Sequence, residues 1–179
     1  MKFLSSLPLI ALLLAAAPTA SAEEAAASAT ITAGDFEFAL PTPWADSGNT
    51  RPMVKAIAVW TDPDGTHEPI DAAFYHFGEG QGGTVQANVD RWKGQFQGEV
   101  EEDYEDLDLD GQRVTIVHLR GTYMDGPMFG NKTPKDGHAM LGAIIESAGG
   151  HVFIKATAPE EAIAACRESF RALAMSPFQ

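Results

Sequence analysis

The chain is predicted to fold as α+β: a mostly antiparallel, twisted sheet of about six to seven strands with two main helices packed on it. Two observations carry this. Strand patterns occur in pairs joined by turn chemistry: TDPDGTHEP, Asp110-Gly111 and SAGG. Only two segments carry helical periodicity, Thr84 to Phe96 and Glu160 to about Leu173, so there are too few helices to cross over seven parallel strands.

Taken in order, Thr30 to Leu40 (TITAGDFEFAL) reads as a strand with a break at Gly34, ended by PTPW because prolines cannot donate to a sheet interior. Met53 to Trp60 and Ile70 to Phe77 are apolar runs that can pair as a hairpin across TDPDGTHEP. From Thr84 to Phe96, Val85, Val89, Trp92 and Phe96 form one apolar helical stripe, with Gly94 near its end. Tyr104 to Leu119 reads as a hairpin turning at Asp110-Gly111. Gly121 to His138, with four glycines and two prolines, reads as a long surface loop. Met140 to Glu146 and His151 to Ala156 form a further hairpin across SAGG. Thr157 to Glu160 matches a capping box, hydroxyl first and glutamate three residues on, opening a helix closed by Ser176-Pro177. The predicted order is β-β-β-α-β-β-β-β-α.

The address is written before the fold. Lys2, the apolar stretch Phe3 to Ala17 and Ala20-Ser21-Ala22 are the three parts of a secretory signal peptide. Residues 1–22 are expected to be removed, residues 23–29 to form a mobile lead-in, and residues 30–179 to form a single domain in an exported, periplasmic or secreted protein. No stable membrane insertion is expected after cleavage. Losing Lys2 takes the net charge from −13 to −14. Such a chain repels nucleic acid phosphates, and no basic patch interrupts it, so a nucleic acid partner is excluded. The lone Cys166 permits no intramolecular disulfide. It shares an apolar helix face with Ile163, Phe170 and Leu173, which reads as a buried structural thiol.

Four patterns bear on function. Gly78, Gly80 and Gly83 match G-x-G-x-x-G before a helix. A dinucleotide fold needs that loop after the first strand of a parallel βαβ unit, which this order lacks. The loop therefore reads as a strand-to-helix hinge whose free N–H groups could hold a small anion or partner. The surface it makes with the following helix comprises Gly80, Gly82, Gly83, Asn88, Arg91 and Gln95, for an unknown protein or small-molecule partner. Asp106, Asp108 and Asp110 match the first half of a calcium loop, within a run, Glu99 to Asp110, that holds 8 of the 25 acids. The twelfth position is Val117, where an EF-hand needs glutamate, so Ca is an alternative ligand rather than an expected cofactor. Of the five histidines, His67 and His138 read as loop residues, while His76, His118 and His151 fall in separate strands. No nucleophile–base arrangement appears, so no catalytic residues are named, and an enzyme with a loop-built site is a second alternative. The leading expectation is a soluble, non-enzymatic accessory or binding protein without a cofactor.

The segments YHFGEGQGGTVQANVDRWKGQF, VTIVHLRGTY, AMLGAIIES and VFIKATAP, with the closing FRALAMSP, resemble a group of uncharacterised exported bacterial proteins, most specifically over FGxGQGG…NVxRWxGQF. The element order and the closing helix resemble the Mog1/PsbP-like fold. That resemblance implies a sandwich of a twisted antiparallel sheet between helices, and transfers no catalytic residues.

Overall fold

The structure, a computed structural model, describes residues 29–109, 111–127 and 130–179. The leader and Asp110 lie outside the described residues. Five short strands come first: β1 (Thr30–Ala33), β2 (Phe36–Ala39), β3 (Trp44–Asp46), β4 (Ala56–Trp60) and β5 (Ile70–His76). Helix α1 (Val85–Lys93) follows, then β6 (Phe96–Leu109), β7 (Gln112–Asp125), β8 (Thr133–Ile145) and β9 (Val152–Pro159). Helix α2 (Glu160–Met175) and a 3-10 turn (Ser176–Phe178) close the chain. Strands β3 to β9 form one seven-stranded sheet in the order β3-β4-β5-β9-β8-β7-β6. Every neighbouring pair in it is antiparallel. The α+β class is as the hairpin signals imply.

The two sheet faces are covered differently. Alternation along β9 sends Val152, Ile154 and Ala156 to one face, where they meet Ile163, Cys166, Phe170 and Leu173 of α2. The β1–β2 hairpin packs into this same core, with Phe38 against Phe74 at 5.2 Å between ring centroids. On the other face α1 places Val89 and Trp92 over Val117, Leu119, Met140, Ile144 and Phe153. Gly142 makes this approach possible, because a Cβ there would overlap the Trp92 ring and lie 2.7 Å from its Cε3. Trp92 thus occupies the space of an absent side chain, and α1 sits on the β7–β8–β9 half of that face. No helix among the described residues is long and apolar enough to cross a membrane.

Four expectations change. Gly34, at φ +59°, reverses the chain, so Thr30 to Leu40 is a separate two-stranded hairpin and not one strand. The first helix ends at Lys93, and Phe96 opens β6 opposite Tyr123 while keeping its place in the Trp92 cluster. The segment Gly121 to His138 is mostly ribbon: β7 and β8 pair as far as Asp125↔Thr133, leaving 126–132 as the connection. Gly121 and Gly137 lie at a register shift between the two strands, so they mark an irregular ladder, and His138 belongs to β8. Thr157 is not a helix cap. It pairs with Met140 inside β9, and Pro159 precedes α2 with no side-chain cap. Glu160 and Glu161 in the first turn oppose the helix dipole instead.

Candidate functional site

Helix α1 leaves half of its sheet face uncovered. The period of two along β9 points Phe153, Lys155 and Thr157 to that face, and Asp71, Ala73 and Tyr75 of β5 point the same way. Phe153 is buried by α1. Beyond the helix, a cleft of about 410 Å³ opens over Ala73, Tyr75, Lys155 and Thr157, and Tyr123 lines it. Arg51, Lys135, His138, Asp71 and Asp125 complete the walls.

Lys155 is the unusual group. It stands half-buried in the longest-range pairing of the sheet, between Ala73 of β5 and Gly142 of β8. Its Nζ donates to Gln95 Oε1 at 2.5 Å and lies 5.6 Å from the centroid of the Tyr123 ring. Both partners are neutral. Among the described residues no carboxylate lies within ion-pair distance of it. Burial, reinforced by Lys132 and Arg51, pushes its pKa down to about 8. Burial likewise raises the Tyr75 and Tyr123 phenols above their ordinary value. The Thr157 hydroxyl oxygen is buried beside the Tyr123 phenol. The cleft floor therefore holds an uncompensated cation, a buried hydroxyl and two protonated phenols.

The surface predicted from the glycine loop divides in two. Asn88 is buried, and its Nδ2 donates to the carbonyls of Gly82 and Thr84, both at 2.8 Å. Arg91 Nη2 donates to Asn88 Oδ1 at 2.5 Å. These side chains tie the loop to the helix. Gly82, at φ +88°, has no room for a Cβ, which would lie 3.0 Å from Phe153 Cε2. Gly80 faces open space, as does a left-handed Gly78, while Gly83 abuts Asn88. Thr84 caps α1 by accepting from the Ala87 N–H at 3.2 Å. Gln95 parts from this group: it lies past the helix end and reaches Lys155. Asn88→Ala is expected to lower stability by about 1–3 kcal/mol, since it removes a buried amide that ties the Gly82 carbonyl to the helix, measurable in urea unfolding with an unchanged m value.

The acidic segment lies along the edge strand β6. Asp106 Oδ1 accepts from Thr115 Oγ1 at 2.7 Å, and Asp108 Oδ1 accepts from the Gly111 N–H at 2.7 Å. Among the described residues no group of three or more His, Cys, Asp or Glu could hold a metal ion. Of the other acids in the run, Glu101, Asp103 and Glu105 pair with arginines and Glu102 with Lys93. Glu105 takes a two-pronged contact from Arg171 at 2.6–2.9 Å, which holds its carboxyl below the usual range. Both partners are part-exposed, so Arg171→Leu is expected to cost at most about 1 kcal/mol, with thermal unfolding as the check. Cys166 is fully buried, and burial pushes its thiol up to about 12, which leaves no thiolate at neutral pH.

Lys155 is no part of the surface expected from the sequence. The one available signal was a lone lysine inside the apolar run VFIKATAP, which a solvated strand face explains equally well. Arg51, Tyr75 and Tyr123 come from three separate segments, and only the successive pairing of β4, β5, β9, β8 and β7 assembles them.

No protein-family profile matches the chain, and no curated protein matches it. Among solved structures it is similar to the solution structure of cyanobacterial PsbP (CyanoP) from Synechocystis sp. PCC 6803, with 16% sequence identity and a TM-score of 0.46, over 79% of this chain and 84% of that one.

Proposed function

We propose that this is an exported, non-enzymatic binding protein of accessory type, and that the cleft over Lys155 takes its ligand, a small organic anion bearing a carboxylate or phosphate. Lys155 is the observation that carries the reading. A half-buried ammonium held by an amide and an aromatic face lacks a counter-charge, and an anion would supply it. Arg51 and Lys135 add positive charge at the rim of a chain that is otherwise strongly acidic. The tyrosine rings offer apolar flanks and hydroxyl donors to the same ligand. Calorimetric titration of the protein with citrate, benzoate and inorganic phosphate is the test. At least one should bind saturably and raise the melting temperature, and Arg51→Gln should weaken it by about tenfold. If none binds, or binding survives Lys155→Met unchanged, the reading fails.

Export rests on the leader. N-terminal sequencing of the protein recovered outside the cytosol should begin at Glu23; an intact Met1 would remove that part of the reading.

A further inference from the structure

The opposite sheet face holds a second cleft, unrelated to Lys155. It lies between the β6–β7 ribbon and α2 and has a volume of about 330 Å³. Ile116 and Leu141 line it, His118 projects into it from β7, and Arg167 and Glu168 of α2 stand at its side. His118 is 5% exposed. Arg120 Nη1 donates to His118 Nδ1 at 3.1 Å. A guanidinium can only donate, so Nδ1 is an acceptor and the ring proton sits on Nε2. Asp103, 3.7 Å from Nδ1, therefore faces a neutral ring and finds its counter-charge in Arg120 at 2.8 Å. The Nε2–H is buried and has no hydrogen-bond partner among the described residues.

The remaining charges sort themselves. Asp103 is paired with Arg120, and Glu105 with Arg171. Among the described residues Arg167 makes no ion pair. An orphaned donor at the base and a cation at the side call for one acceptor group between them, beside an aliphatic wall. Glu168 repels a dianion and favours a single charge.

We propose that this cleft binds a short aliphatic monocarboxylate, its carboxylate bridging His118 Nε2–H and the Arg167 guanidinium, and its tail lying on Ile116. The site would exchange the unmet hydrogen bond of a buried imidazole for a charge-assisted one.

The test is a titration of the ring-labelled protein with butyrate at pH 7.5, following the His118 Nε2 and carbon-attached proton resonances. Butyrate should move them saturably, and Arg167→Gln should weaken that response at least about tenfold. Lys155→Met should leave it unchanged, which separates this site from the other cleft. Butylammonium should give no response. Resonances that do not move with butyrate, or that move equally in Arg167→Gln, would overturn the proposal and leave water as the partner of Nε2. Arg167 is exposed, so its replacement leaves the fold intact, and a His118→Phe protein that still binds butyrate equally well would also sink it.

Discussion

Lys155→Met is expected to stabilise the ligand-free protein by about 1–3 kcal/mol at pH 7 while removing anion binding. Methionine keeps most of the lysine's length and packs against Ala73 and the Tyr123 ring, but needs no counter-charge. The pH dependence makes the result specific. In the folded protein the amine titrates near 8, against about 10.5 for the unfolded chain. Between those values the unfolded state binds a proton that the native state has released, so stability rises with pH across that window. At pH 7 both states are charged, and the full cost of the buried ammonium is present. Near pH 10 that cost has gone. The advantage of Lys155→Met should therefore be largest at neutral pH and shrink as pH climbs to about 9.5, below the range where Tyr75 and Tyr123 ionise. Urea unfolding at several pH values reads it directly. A destabilised Lys155→Met protein at pH 7 would mean that the Gln95 bond outweighs the desolvation, and the lysine would then be structural. A stability cost that disappears with the amine, together with lost binding, identifies a group kept for its ligand.

The same lysine marks where sequence reading stopped. Hairpins were legible because their turns are local: Asp110-Gly111, SAGG and TDPDGTHEP each sit between the strands they join. Both helices were legible from their stripes, Val89 and Trp92 in one, Ile163, Cys166, Phe170 and Leu173 in the other. Gly121 and Gly137 misled because glycine is turn chemistry in sequence, whereas in a long ribbon it accommodates a shifted register. Thr157 misled similarly: a hydroxyl three residues before a glutamate caps a helix only if its own backbone has left the ladder, and β8 holds it in place. The cleft itself was out of reach. It depends on β5 pairing with β9, strands separated by the whole β6–β7–β8 meander, and on α1 covering one half of a face and not the other. The polar stripe of α1 was visible, but hydrogen-bonding partners decide its role: Asn88 and Arg91 are consumed by their own loop, while Gln95 alone reaches the cleft.

Acid should expose the other buried base. His118 is expected to make the protein lose about 3 kcal/mol of stability as pH falls from about 6.5 to about 4. Burial is the main cause of its low folded pKa of about 4, followed by Arg120 beside it and Arg167 on α2; Asp103 on β6 pulls the other way and loses. In the unfolded chain the imidazole titrates near 6.5. Between these values the unfolded state takes up a proton that the native state refuses, so the stability is complete above the upper value and gone at the lower one. Below about 4 both states are protonated and the slope from this residue ends. Carboxylates such as Asp103 and Glu105, held low by their arginines, also lose their contribution on acidification, but in a lower window. Comparison with His118→Leu isolates the histidine. That substitution leaves Arg120 its partners Glu101 and Asp103, so the ion pairs and their acid response persist. Between pH 6.5 and 4.5 the wild-type curve should fall more steeply than the variant's, by up to one proton per molecule. Parallel curves across that range would mean that the imidazole charges freely in the native state. It would then be a hydrated residue, and the unmet Nε2–H that makes the second cleft a binding site would not exist.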